Sequence, residues 1–578
     1  MKETRKSKPE KRPKKKLVKA IEIPILSVPS SKVPPKAGAK KSLSTLKKLE
    51  KKPAPLSTAP PKIARAKKTV SKVEKKAPVV RLLSEIDQKL KVLMVASECT
   101  PFAKSGGLAD AVAGLSKVLH QAGHTVRIVL PLYRLIDRAR WNIEFKHSVC
   151  VHMGMGEEIW IGLYQGLLDD KVPVWFIDYD RFFGRPGIYD HLNQEYPDNP
   201  YRFALLCKAA MQICKDTNFI PKIIHAHDWP GALVAPFLKT WDRVFSPLSH
   251  TASVLTIHNI GYQGKYHSGV WDFWGMGIEH FHAEAFEDFG QVNLLKGGLY
   301  FADAITTVSP THAREILEPI GGQGLAPSVA RRSQDFMGIL NGVDSDHWNP
   351  ENDSLIPAPF SAQDLRGKLT CKIALQKEFG LESRPDIPVF GLISRFVHQK
   401  GLALLQEILP TALDQMVVQF VFLGNGDPAI ESWVSEMISR YPGKVGGFIG
   451  FNNPLAHLIE AGSDFFLMPS LYEPCGLNQI YSLKYGTLPL VRATGGLEDT
   501  VIAYNEAEGG GTGFKFHEPS SLSLLHTLGL AVSTWYDRPH HIAQMRLNAM
   551  AQHFTWEDVL PEYLKVYHQA IHRRSLWH

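Results

Sequence analysis

The sequence predicts an α/β fold of two Rossmann-like, doubly wound domains facing a central crevice, preceded by a disordered basic tail. Three observations lead there. A short apolar run followed by a glycine-bearing loop and an amphipathic helix occurs near residue 91 and again near residue 388. The residues most able to carry chemistry cluster in the loops that follow such runs. The first 80 residues, finally, are unlike the rest in composition.

Those 80 residues hold 25 Lys and Arg against 5 Asp and Glu, with eleven prolines and no aromatic residue, Cys or His. Such a segment cannot bury enough apolar surface to offset the entropy of ordering it, so disorder is expected over residues 1–88. The whole chain of 578 residues has a formal charge of +9, but the tail carries +20 and the remaining 41 basic and 52 acidic residues sum to −11. The basic balance therefore gives no reason to read the body as a nucleic-acid binder. Two readings of the tail follow: a tether or targeting extension, or an electrostatic arm for an anionic partner of residues 1–80. A cytoplasmic location is expected, with a plastid as the alternative if the extension is a transit peptide. No run of 18 apolar residues is present, so no membrane span is expected. The six cysteines are widely spaced without a CxxC pair, which argues against a zinc ribbon or a disulfide framework.

Residues 91–97 read as a buried parallel strand, 104–120 as a Gly-rich turn opening an amphipathic helix, and 125–130 as the next strand. The second copy runs from a strand at 388–394 through a basic loop with Gly401 and a helix to about residue 413, then to a strand at 417–423. The division expected is an N-terminal domain over 89–338, a C-terminal domain over 339–555, and a C-terminal helix over 556–578 that packs back on the first domain.

Doubly wound sheets bind ligands outside the carboxyl ends of their strands. In the first such loop, Gly106 and Gly107 let backbone approach a ligand, and the helix they open offers N–H groups to an anion beside Lys104. Asp110 either favours the dipole of that helix or accepts hydrogen bonds from a polyol. Arg395 and Lys400 are placed to clamp phosphate oxygens, the Arg as a fork and the Lys as a point charge. Thr494, Gly495 and Gly496 open a further helix and read as another anion site, so that three such features suggest a diphosphate. Glu473 follows the apolar run 465–468 and suits hydroxyl recognition or stabilisation of positive charge at an anomeric carbon. With no carboxylate partner nearby, it favours transfer from a phosphate-bearing donor over hydrolysis. His258 lies in a strand-to-helix loop. In HAHDW at 225–229 only His225 and His227 share a strand face, and no further ligand is evident, so zinc is not expected there.

These segments together resemble the bacterial glycogen synthase and plant starch synthase family, retaining glucosyltransferases of the GT-B fold. The resemblance covers about residues 90–570 and rests on KSGGLAD at 104–110, HAHDW at 225–229, TIHN at 256–259, NLLKGGL at 293–299, TTVSP at 306–310, GILNGVD at 338–344, and the stretches 394–401 and 469–500. It implies transfer of glucose from ADP-glucose to the non-reducing 4-OH of an α-1,4-glucan, glycogen or starch, with retention. The catalytic set it implies is Glu473, His258, Arg395, Lys400 and Asp110. The implied donor-binding set is Lys104, Gly107, Asn259, Asn341, Phe451 stacking on adenine, Cys475, Gly476, Leu477, Thr494, Gly495 and Gly496. No metal or other cofactor is implied. Tyr481 stands where related transferases carry a second Glu, and Asn478 where Thr is common. Rival readings keep the fold with a UDP-glucose donor, an epimerase or a phosphorylase reaction, or make the chain a non-catalytic binding protein tethered by its tail.

Overall fold

A computed structural model of the chain describes residues 89–577 apart from 192–193 and 345–346. The expectations for residues 1–88, including the anionic partner, lie outside the described residues.

The first sheet has nine strands in the order Phe336–Gly338, Ala304–Thr307, Ala252–Ile257, Ile223–His227, Lys91–Val95, Thr125–Pro131, Val172–Asp178, Glu158–Leu168 and Glu144–His152. All neighbours are parallel from the first of these to Val172–Asp178, after which the last two strands add as antiparallel neighbours. Burial on both faces explains the unbroken apolar strand sequences: residues 92–95 are all essentially inaccessible. Helix Gly107–Gln121 covers one face, burying Leu108, Val112, Leu115 and Leu119 at helical spacing.

The second sheet has six parallel strands in the order Val445–Ile449, Gln419–Gly424, Val389–Ile393, Phe465–Met468, Leu488–Arg492 and Phe514–Phe516. Counted along the chain this is 3-2-1-4-5-6, the doubly wound dinucleotide-binding order, whose direction reverses between the first and fourth strands. Phe390 pairs in register with both Phe420 and Phe465, and its ring stacks on theirs at 5.2 and 4.7 Å. This ladder fixes the three central strands whose C-terminal ends carry the loops 394–401 and 469–477.

Two connections join the halves and run side by side: Val343 bridges Thr555, and the Val343 amide donates to the Phe554 carbonyl at 2.8 Å. Helix Trp556–Ser575 then begins with a capping box in which Thr555 and Asp558 bond reciprocally. It returns to the first sheet. Trp556, Tyr563, Val566, Tyr567 and Ala570 are buried in the same core as the N-terminal strands. Gly114 leaves room for this: a Cβ there would sit 1.9 Å from the Trp556 indole nitrogen. No described helix is long and apolar enough to cross a membrane.

Candidate active site

A crevice of about 1220 Å³ lies between the carboxyl ends of the two sheets and is lined from both halves. From the first half, residues that follow the paired parallel strands Lys91–Val95 and Ile223–His227 line this space. Lys104 Nζ lies 2.7 Å from Asp110 Oδ2, and Asp110 Oδ1 also accepts from Thr100 Oγ1 at 2.9 Å. Glu98 is the unforeseen member. Buried beneath the glycine loop, it accepts from the Ser105 amide at 2.5 Å, Ser105 Oγ at 2.8 Å, the Gly106 amide at 3.1 Å and Tyr189 OH at 2.6 Å. The Gly106 amide, one of those expected to greet an anion, is thus occupied by the chain's own carboxylate together with the Ser105 amide before it, whereas Gly107 still faces the crevice.

His258 follows the strand Ala252–Ile257, and its Nε2 lies 3.0 Å from His227 Nδ1. Burial holds His258 down to about 3, so it acts as a neutral imidazole in the range where most enzymes work. His225 Nδ1 and Nε2 bond to the hydroxyls of Tyr567 and Thr256, at 3.0 and 2.6 Å. Asp228 sits at a backbone φ of +51° and accepts from the His258 amide at 2.6 Å and the Asn259 amide at 3.3 Å. It thereby pins the TIHN loop to the HAHDW strand end.

Burial raises the Asp228 carboxyl to about 7 against the downward pull of those two amides. Between its ordinary value of 3.8 and that raised value the native state binds more protons than the unfolded chain. This group's stabilisation is therefore greatest below about pH 4 and is lost as pH rises through about 7. Asp228→Asn keeps an acceptor oxygen for both amides and removes the titration. Its unfolding free energy relative to the parent is expected to rise steadily from about pH 4 to about pH 7, read by denaturant titrations across that range; a flat difference would refute the assignment.

The second half contributes its two loops at the reversal point. Lys400 Nζ donates to Glu473 Oε2 at 2.5 Å, and Ser470 Oγ donates to the same oxygen at 3.0 Å. Gly401, at φ +67°, makes this approach feasible, since a Cβ there would lie 1.9 Å from the Pro469 carbonyl oxygen. Arg395 is exposed in the crevice, and its guanidinium has no ion pair or hydrogen bond among the described residues. Asn341 presents a buried amide oxygen with no hydrogen-bond partner among the described residues, and Phe451 stands 83% exposed at the rim. Cys475, Gly476 and Leu477 also line the space, and burial pushes the Cys475 thiol up to about 12, which keeps it protonated.

Of the residues expected at the site, three lie elsewhere. Thr494, Gly495 and Gly496 do not face the crevice. Thr494 Oγ1 and the Gly495 amide donate to Glu315 Oε1 at 2.9 and 3.0 Å, and the Gly496 amide donates to the Glu473 and Pro474 carbonyls at 3.1 and 3.2 Å. The expected phosphate contact is revised accordingly: protein oxygens hold these groups. The two substituted positions are also explained locally. Asn478 Nδ2 donates to the Ile393 carbonyl at 2.9 Å, tying its helix to the central strand, and the Tyr481 ring stacks on Trp348 at 4.1 Å.

Residues 91–331 match the starch synthase catalytic domain, and residues 376–544 match the glycosyl transferases group 1 family. The chain is 46% identical over 489 residues to glycogen synthase 1 of Geobacter metallireducens, spanning 84% of this chain and 97% of that protein. It is 44% identical over 492 residues to the glycogen synthase of Treponema denticola, spanning 84% and 99%. The catalytic domain of starch synthase IV from Arabidopsis thaliana, solved with ADP and acarbose, superposes with a TM-score of 0.77 at 31% identity, over 84% of this chain and all of that one. A starch synthase catalytic domain, a group 1 transferase domain and near full-length similarity to glycogen synthases place the chain in the glycogen synthase family of GT-B glycosyltransferases, whose reaction is glucosyl transfer in glycogen and starch synthesis.

Proposed function

We propose that the chain transfers glucose from ADP-glucose to the non-reducing 4-OH of an α-1,4-glucan with retention of configuration. The observation that carries this reading is the Lys400–Glu473 pair at the reversal point of the second sheet, with Arg395 on the same loop unpaired among the described residues and Lys104, Asp110 and His258 lining the same crevice. Arg395 and Lys400 stabilise the departing diphosphate, with Lys104 and the Gly107 region on its other side. Fixed cations aimed at developing charge are worth about 3 kcal/mol each when preorganised. Glu473 stabilises the oxocarbenium-like carbon. The leaving phosphate takes the proton of the acceptor hydroxyl, which attacks from the face the phosphate leaves. Asp110, His258, Asn259, Asn341 and the backbone at 475–477 bond the glucose. No step in this scheme passes through a metal.

Phe451 at the rim offers an exposed aromatic face for adenine, and the Arabidopsis relative was solved with ADP. Closure of the halves over the donor excludes water that would divert the glucosyl cation to hydrolysis. The test is elongation of glycogen and of maltooligosaccharides with labelled ADP-glucose and UDP-glucose, the new linkage being read by proton NMR. Faster incorporation from ADP-glucose into α-1,4 linkages is expected. Faster use of UDP-glucose would overturn the donor, β-linkages the stereochemistry, and absence of polymer growth from either donor the whole reading.

A further inference from the structure

The halves are also joined behind the crevice. Glu315 ends the N-terminal-half helix Pro310–Glu315, and its Oε1 accepts from Thr494 Oγ1 and the Gly495 amide of the other half, at 2.9 and 3.0 Å. Asp499 returns the contact from helix Gly495–Thr500: its two carboxylate oxygens accept from the Thr311 amide at 2.9 Å and Thr311 Oγ1 at 2.6 Å. Each carboxylate lies near the end of its own helix and bonds the start of the other, so the two helices run side by side in opposite directions. Four hydrogen bonds, all to ionisable acceptors, cross from one half to the other here. Charge-assisted bonds of this kind are roughly twice as strong as neutral ones.

The same helix reaches the reaction centre. The amide of Gly496, next to the residue that Glu315 holds, donates to the Glu473 carbonyl at 3.1 Å and the Pro474 carbonyl at 3.2 Å. Arg492, just before it, donates from Nε to the Ser470 carbonyl at 2.8 Å and from Nη2 to the Leu471 carbonyl. The loop carrying Glu473 is therefore hung from the segment 492–496, and that segment is anchored to the opposite half by Glu315 and Asp499. The path from Glu315 to the Glu473 backbone is two hydrogen bonds and one peptide unit.

We propose that Glu315 and Asp499 are positioning residues. By latching helix Gly495–Thr500 to helix Pro310–Glu315 they fix the Glu473 loop relative to the groups contributed by the N-terminal half. The latch lies outside the crevice, so it acts through Glu473 and touches no substrate. It rests on the reading that Glu473 faces the reacting sugar, and it goes beyond that reading in assigning the loop's alignment to a residue of the other half.

The test measures kcat and KM for glucan elongation, ADP affinity by calorimetry and the thermal midpoint in Glu315→Ala, Asp499→Ala, Thr311→Val, Thr311→Ser and Glu473→Gln. Misplacing a reacting group by about 1 Å costs up to about a hundredfold, so each alanine variant is expected to lose about ten- to a hundredfold in kcat. ADP affinity should stay near the parent's. Thr311→Val, which deletes a single hydroxyl, should lose less, and Thr311→Ser, which retains it, should keep the parent kcat. If an alanine variant does not fold, the Val and Ser pair decides the matter alone. Parent kcat in the folded alanine variants and in Thr311→Val, with an inactive Glu473→Gln, removes the latch and leaves the site reading standing. A loss of kcat that merely follows the folded fraction and recovers on cooling also removes it. Parent kcat in Glu473→Gln removes both.

Discussion

Lys400→Ala and Arg395→Ala are each expected to lower kcat for glucan elongation by about two to three decades, the range seen when one preorganised donor to developing charge is removed. The two differ in what else they disturb. Arg395 has no side-chain partner among the described residues, so its removal takes away only what it does for a bound anion. Its thermal midpoint should match the parent's. Lys400 Nζ lies 2.5 Å from Glu473, a residue whose side chain is only 7% exposed. Truncating the Lys leaves that carboxylate with Ser470 as its remaining side-chain donor. Removing one partner of a buried pair costs about 3 kcal/mol or more because the other charge stays behind. Lys400→Ala should therefore lower the thermal midpoint as well as kcat, and Lys400→Ala/Glu473→Gln should regain stability without regaining turnover. Initial rates and thermal melts on the four proteins check this. Near-parent rates in either single variant would sink the assignment of the cations to the leaving group.

Much of this site was legible because strand-to-helix loops announce themselves. The runs at 389–393 and 465–468 are apolar enough to be read as buried strands, and doubly wound topology then brings whatever follows them to one edge. That is how Lys400 and Glu473, 73 positions apart, are found in contact. Less legible was which polar groups are already satisfied. Glu98 lies in the loop whose amides it fills, but nothing in its spacing shows that its side chain turns back under Ser105 and Gly106. Glu315 is 180 positions from Gly495, and only the meeting of the two halves brings them together. Amides at a helix start look alike in a sequence whether an outside anion or an internal carboxylate completes them, because both satisfy the same orphan donors. Asp228 shows a related limit. Its raised pKa depends on burial between two strand ends and is no property of the HAHDW string.

The two glycine pairs make the distinction sharp and support the second large effect, Gly496→Ala. Gly106–Gly107 and Gly495–Gly496 both open helices after a polar residue. A Cβ on Gly106 would meet nothing within 4 Å, and one on Gly107 would make ordinary contact with Leu477 at 3.6 Å. That pair borders open crevice, where space is kept for something other than protein. A Cβ on Gly496 would instead lie 2.0 Å from the Cys475 carbonyl oxygen and 2.6 Å from its carbonyl carbon and Cα. These are backbone atoms of the loop between Glu473 and Leu477, and they cannot swing aside as a side-chain tip would. Relief requires the loop to move outward by more than 1 Å, which breaks the Gly496 amide bond to the Glu473 carbonyl. Overpacking of this kind costs about 3 kcal/mol, and a shift of about 1 Å in a reacting group costs about two decades in turnover. Gly496→Ala should accordingly lose both kcat and several degrees of thermal midpoint, whereas Gly106→Ala should melt with the parent. If Gly496→Ala melts and turns over like the parent, the loop is not held as tightly as these distances require, and the coupling of Glu473 to the helix behind it fails with that result.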